Sequence, residues 1–148
     1  MGFVDLCKYG ELEAVQKAIV NGVDVNIVDS DVWGSTGLMC ALNRGHNNVV
    51  KELLRNPEID VNGADTEGEN ALHWAGMADN SEGMIMLLGH DNLTNESINH
   101  RNLSDGLSPI MTSVSYNSLK CFHLLLPNPK VDLDTRDGYE RNAQEVCR

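Results

Sequence analysis

Gly68-Glu69-Asn70-Ala71-Leu72-His73-Trp74-Ala75 decides the fold, because the chain repeats it. Thirty-four residues earlier stands Gly34-Ser35-Thr36-Gly37-Leu38-Met39-Cys40-Ala41, and thirty-eight later Gly106-Leu107-Ser108-Pro109-Ile110-Met111-Thr112-Ser113. In each copy a glycine is followed by Thr, Asn or Ser, side chains that cap helix N-termini by accepting backbone N–H groups. An aliphatic residue and a small residue then follow in the same register. Sixteen residues after each motif aliphatic comes a leucine: Leu38 to Leu54, Leu72 to Leu88, Ile110 to Leu126. Stretches such as Val49-Val50-Lys51-Glu52-Leu53-Leu54 carry apolar residues at helical spacing. Polar breaks at Gly45-His46, Asp79-Asn80 and Asn117-Ser118 separate two helices in each unit. Asp60-Val61-Asn62, Ser97-Ile98-Asn99 and Asp132-Leu133-Asp134 lead out of the second helix into a polar loop.

The same template, minus its opening, fits the first 29 residues: Phe3 to Gly10, then Leu12 to Val20, then Asp24-Val25-Asn26. At the far end Asn142 to Cys147 restarts a first helix, although reaching it from Gly138 takes two extra residues. The units are therefore about 1–29, 30–64, 65–102, 103–136 and a partial 137–148, within a single domain spanning 1–148. The third unit exceeds its neighbours by four residues, a surplus that fits most simply into a longer loop over His90 to Asn99. Since the chain opens and closes inside a unit, it reads as a fragment of a longer array. A small protein with abbreviated caps is the other reading.

Composition narrows the function. The 148 residues are 41% hydrophobic, enough for a real core, and their few aromatics point to an aliphatic one. A net charge of −11 disfavours nucleic acid and favours basic or neutral protein surfaces as partners. No apolar run is long enough to insert in a membrane. The scattered cysteines Cys7, Cys40, Cys121 and Cys147 suit reduced thiols in a cytoplasmic or nuclear protein. In that setting the acceptor-like triplets at Asn92, Asn95 and Asn102 carry no sugar.

These motifs resemble the ankyrin-repeat family along nearly the whole chain. Gly68 to Ala75 matches the family's G-x-T-P-L-H-x-A signature, and Gly45 to Leu54 its second-helix segment G-H-x-x-V-V-x-x-L-L. Asp24-Val25-Asn26 and Asp60-Val61-Asn62 match its D-V-N loop. The departures are Gly37 in place of proline and Met39 and Met111 in place of histidine, which weaken the turn locally. The resemblance implies an all-α ankyrin-repeat solenoid of stacked helix-turn-helix units with turn-tipped loops. Leu38, Leu72 and Ile110 form one buried ladder in that arrangement. Leu53, Leu54, Leu87, Leu88, Leu125 and Leu126 line the other side. His73 takes a structural role in its turn, and the phase of Trp74 places it in the core.

Nothing in the sequence points to catalysis, a cofactor or a metal. Cys121 and His123 diverge on one helix, and with His90 and His100 they match no zinc spacing. No nucleophile-base order or phosphate loop stands out. What remains is a non-enzymatic protein-protein interaction scaffold, using the loop tips and the exposed ends of the first helices. Register places Val32, Trp33, Ser35, Glu67, Glu69, Asp105 and Leu107 on the tips, and Asn43, Arg44, Met77 and Tyr116 near the helix ends. Trp33 has no periodic partner to bury it, and tryptophan is enriched at binding hot spots. A free-standing inhibitor of a signalling enzyme, the interaction domain of an enzyme catalytic elsewhere, and a plain spacer are the alternatives. Leu54 to Asn62 also resembles the sequence preferred by the asparaginyl hydroxylase of ankyrin loops, with Asn62 as target and Asp134 in the same surroundings. Asp60 and Asn62 otherwise simply bond their own turn.

Overall fold

In the computed structural model, residues 1–30 and 33–146 are described. They form helix pairs joined by tight turns: α1 (Phe3–Lys8) with α2 (Leu12–Val20), α3 (Gly37–Arg44) with α4 (Asn47–Leu54), α5 (Ala71–Met77) with α6 (Ser81–Leu88). A one-turn helix α7 (Asn95–Ile98) precedes the pair α8 (Pro109–Ser115) and α9 (Leu119–Leu125), and α10 (Ala143–Val146) follows. Two short strands, β1 (Val28–Asp29) and β2 (Ser35–Thr36), pair antiparallel ahead of α3. A single bridge, Ala64 to Asn70, takes their place ahead of α5.

First helices pack in one row, α1 on α3 on α5 on α8 on α10, and second helices in another, α2 on α4 on α6 on α9. Each pair packs its two helices on one another and buries its remaining apolar face against the next pair. The ladder Leu38, Leu72 and Ile110 is buried, as are Leu53, Leu87 and Leu125. Each contributes about 1.5–3 kcal/mol by leaving water. Leu54 and Leu88 are only half-buried and Leu126 is exposed, so the outer of each leucine pair borders solvent.

The turn between paired helices needs a left-handed residue, supplied by Gly10 (φ 72°), Gly45 (φ 74°), Asp79 (φ 50°) and Asn117 (φ 55°). Asp and Asn tolerate that region better than other side chains do. The tips use Gly34, Gly68 and Gly106 at positive φ, and in the last unit Glu140 (φ 62°). This corrects the placing of the fifth tip at Gly138. Asp137 N donates to Arg141 O at 2.8 Å, just as Asp65 N donates to Glu69 O at 2.9 Å. No extra residues are needed there.

The surplus of the third unit is also divided. From Leu88 to Asn99 there are eleven steps, against eight from Leu54 to Asn62, so three extra residues precede Asn99. They are wound into α7, capped by Thr94 Oγ1 accepting from Ser97 N at 3.1 Å, rather than left as a loop. The fourth lies in the tip between Asn102 and Gly106, where four steps replace the three between Asp65 and Gly68.

Candidate interaction surface

The tips are tied into a single row by backbone hydrogen bonds between neighbouring units. Thr66 N donates to Trp33 O at 2.9 Å, Leu103 N to Glu67 O at 2.8 Å, and Gly138 N to Asp105 O at 2.7 Å. Thr66 Oγ1 adds a second bond to Trp33 O at 2.9 Å. The tips at Gly68, Gly106 and Glu140 are each shaped by one side chain three residues after the loop asparagine or its counterpart. Asp65 Oδ1 accepts from Glu67 N and Glu69 N, both at 2.9 Å. Asn102 Oδ1 accepts from Leu107 N at 2.9 Å, and Asp137 Oδ1 from Tyr139 N and Arg141 N at 2.8 Å.

On this row Trp33 is 65% exposed, with φ at 52°. A bulky residue in the left-handed region is strained, and such strain persists only where the surroundings enforce it. Here Gly34 N bonds to Asp29 O at 3.0 Å, and the Thr66 bonds hold the Trp33 carbonyl. Glu67 lies in solvent and Asp105 is half-buried. Glu69 is half-buried with Oε1 accepting from Asn102 Nδ2 at 2.9 Å, and burial raises its pKa against that bond. In the first-helix row Arg44 and Tyr116 are exposed, and Asn43 and Met77 are half-buried.

Two of the sequence-assigned contact residues lie elsewhere. Leu107 is 5% exposed and packs in the core, and Ser35 is fully buried with its hydroxyl 3.5 Å from Cys40 Sγ. The side chains of Ser35 and Leu107 turn inward towards the stack, whereas Glu69 at the same step stays half-buried. Val32 lies outside the described residues, as does Cys147. In exchange, the tips present Leu103 (76% exposed) and Tyr139 (72%), which sequence register did not single out. The extra tip residue before Gly106 hid the first, and the misplaced fifth tip hid the second.

His73 and Trp74 belong to the scaffold. Trp74 is buried, with Nε1 donating to Asp65 Oδ2 at 2.9 Å, so Asp65 braces both its tip and the helix behind it. His73 Nε2 lies 2.8 Å from Leu107 O, an acceptor only, and therefore carries the proton. Its Nδ1 accepts from Asn70 N at 3.1 Å. Burial pushes the ring pKa down to about 4. The thiols of Cys7, Cys40 and Cys121 are free and buried. Burial pushes Cys7 and Cys121 up to about 12 and raises Cys40, leaving protonated, unreactive thiols. Among the described residues no group of His, Cys, Asp and Glu is placed to hold a metal ion, and no helix is long and apolar enough to cross a membrane.

Asn62 is fully engaged. Its Nδ2 donates to Asn92 O at 2.8 Å, while Oδ1 accepts from Ser97 Oγ at 2.6 Å and Thr94 N at 3.1 Å. Its own N–H donates to Asp60 Oδ1 at 2.9 Å. Asp134 is exposed, its N–H bonded to Asp132 Oδ1 at 2.9 Å.

A family model described as ankyrin repeats (3 copies) matches residues 3–99. The chain belongs to the ankyrin-repeat family. It is 31% identical over 136 residues to the ankyrin repeat protein FPV031 of fowlpox virus (strain NVSL), covering 92% of this chain and 38% of that protein. Over 55 residues, 37% of this chain, it is 40% identical to the neurogenic locus notch homolog protein 2 of Homo sapiens and of Mus musculus, covering 2% of each. The chain thus spans well under half the length of these relatives. Repeats of this family generally mediate protein-protein interaction, and the all-α ankyrin stack fits that role.

Proposed function

We propose that this ankyrin stack is a protein-binding scaffold, non-enzymatic in itself. Its partner lies across the tip row and the exposed ends of the first helices. The observation that carries this is Trp33, a strained aromatic held out in solvent by bonds from the next unit. Along the same face, Arg44, Glu67, Met77, Leu103, Asp105, Tyr116 and Tyr139 supply mixed apolar and charged contacts, with Asn43 and Glu69 at their margins. The acidic balance favours a basic or neutral protein surface over a phosphate backbone. Buried free thiols suit a reducing compartment, the cytoplasm or nucleus.

The test is affinity capture on the immobilised full chain, followed by titration of the captured partner with Trp33→Ala and Arg44→Ala. Loss of Trp33 should weaken binding about 30-fold, the scale of an interface hot spot. Unchanged affinity for both variants removes this surface.

We also propose Asn62 and Asp134 as hydroxylation positions, with Asp134 the readier because its side chain is in solvent. Asn62 would first have to release its bonds to Asn92, Thr94 and Ser97. Intact mass after co-expression with an asparaginyl hydroxylase should show added oxygen, and no gain in mass refutes it.

A further inference from the structure

The chain holds two Asn-Gly dipeptides, Asn21-Gly22 and Asn62-Gly63. Glycine has no side chain to hinder its own nitrogen, so this pair can close a ring on itself. The glycine nitrogen gives up its proton and attacks the side-chain amide carbon of the asparagine. The carbon–nitrogen bond of that amide breaks and ammonia leaves, which forms a five-membered succinimide. Water then opens the ring at one carbonyl or the other, giving aspartate or its isoaspartyl isomer. In a folded chain the rate depends on two freedoms, that of the side-chain amide and that of the glycine nitrogen.

The two sites differ in both. At Asn62, Nδ2 donates to Asn92 O at 2.8 Å, and Oδ1 accepts from Ser97 Oγ at 2.6 Å and Thr94 N at 3.1 Å. Gly63 N donates to Asp60 Oδ1 at 3.1 Å. The residues that build α7 thus clamp this amide, and ring closure there would require the third unit to let go of the second. Asn21 closes α2 and is exposed, as is Gly22. Among the described residues nothing bonds its side chain, and a Cβ placed on Gly22 would meet nothing within 4 Å. Only the bond from Gly22 N to Ile19 O at 3.0 Å has to open, at a helix end, where fraying is usual. The exposure belongs to the register: Arg55, Gly89 and Pro127, at the same position in later units, are exposed too.

The products alter the first unit. Either one sets a carboxylate at the negative end of the α2 dipole. The isoaspartyl form also lengthens the backbone by a methylene, which misaligns the closing bond from Val23 N to Ala18 O at 3.1 Å.

We propose that Asn21 is a self-modifying site that deamidates in the folded chain with water as the only co-reactant, while Asn62, in the same dipeptide, is held unreactive by its bonds to the next unit. This rests neither on the tip row nor on hydroxylation of Asn62.

The full chain is incubated at mildly alkaline pH and sampled by proteolytic peptide mass mapping, where each event replaces NH by O. Conversion at Asn21 should run at least ~10-fold faster than at Asn62, the scale set by several hydrogen bonds that must open first. In urea, where neither amide is held, the two rates should converge. Asn21→Gln should abolish the early conversion. Ser97→Ala, with circular dichroism confirming the helices, should quicken Asn62 and leave Asn21 unchanged. Three outcomes overturn the proposal: equal rates at the two sites in the folded chain, no conversion at Asn21 until urea is added, or an Asn62 rate indifferent to Ser97→Ala.

Discussion

Two helix starts in equivalent positions, those of α5 and α8, are held by opposite means. At α5, Asn70 Oδ1 accepts from Leu72 N at 3.1 Å and His73 N at 3.2 Å, and its Nδ2 reaches Ser97 O at 2.9 Å. His73 closes the box on Asn70 N and crosses to Leu107 O in the next unit. At α8, Ser108 makes no side-chain cap bond, Pro109 removes one orphan N–H by lacking it, and Met111 fills the histidine position. Ser108 Oγ and Thr112 Oγ1 are buried without a partner. One start is a closed polar network, the other a packed apolar plug with two orphaned hydroxyls. The same backbone turn tolerates both, because the stacked neighbours on either side fix it. The α3 start is intermediate: Thr36 Oγ1 accepts from Met39 N at 3.3 Å, and Thr36 N meets Met39 Sδ at 3.4 Å. Methionine there partly replaces the histidine, so that departure costs less than sequence comparison implies.

Breaking the network should have the largest effect. His73→Ala leaves Asn70 N and Leu107 O short of a partner and opens a cavity between units, so unfolding stability should fall by about 3–5 kcal/mol in urea titration. A drop under ~1 kcal/mol would mean the network is ornamental to a stack held by packing.

Acid should expose the same asymmetry. The His73 ring pKa is about 4 when folded, below its ordinary 6.5, chiefly through burial. The unfolded chain therefore takes up the proton first as pH falls. The stability is fully present above pH 6.5 and is lost progressively down to pH 4. The loss runs at up to about 1.4 kcal/mol per pH unit. His73→Met, which copies the α8 arrangement, should flatten the curve in that window. Asp137 acts lower: burial raises its pKa, but the Arg141 and Tyr139 bonds outweigh that and depress it below 3.8, so its stability fades only in stronger acid. Subtracting the two pH profiles isolates the histidine.

How much of this was legible in the sequence depends on which atoms carry the information. The buried ladder follows from side-chain periodicity, and Leu12–Val20 begins and ends where the pattern places it. The tips depend instead on backbone bonds between units 33 to 36 residues apart, such as Leu103 N to Glu67 O, and the α7 turn on Thr94 N reaching Asn62 Oδ1. Residue pattern does not encode these. The step after the tip glycine reads as surface, yet it is buried at Leu107 and at Ser35 and half-buried at Glu69; the aliphatic side chain of Leu107 signals this, while nothing in the polar Ser35 does. Trp74 shows the converse: its phase gives burial, but only the structure supplies Asp65 as partner for its N–H.

The smallest effect comes from repairing the α8 start, and its sign is the informative part. Thr112 is 1% exposed with an unpartnered hydroxyl, so Thr112→Val removes a desolvated polar group and keeps the shape. Stability should rise by about 1 kcal/mol. The neighbouring Ser113 is the control. Its Oγ donates to Ile110 O at 2.6 Å, so Ser113→Ala removes a made bond and should lower stability by about 1 kcal/mol. Two hydroxyls on one buried helix thus respond in opposite directions to loss of the same group. If both variants were destabilised alike, Thr112 would have to own a partner, such as an enclosed water. The α8 start would then be a second polar network rather than an apolar plug.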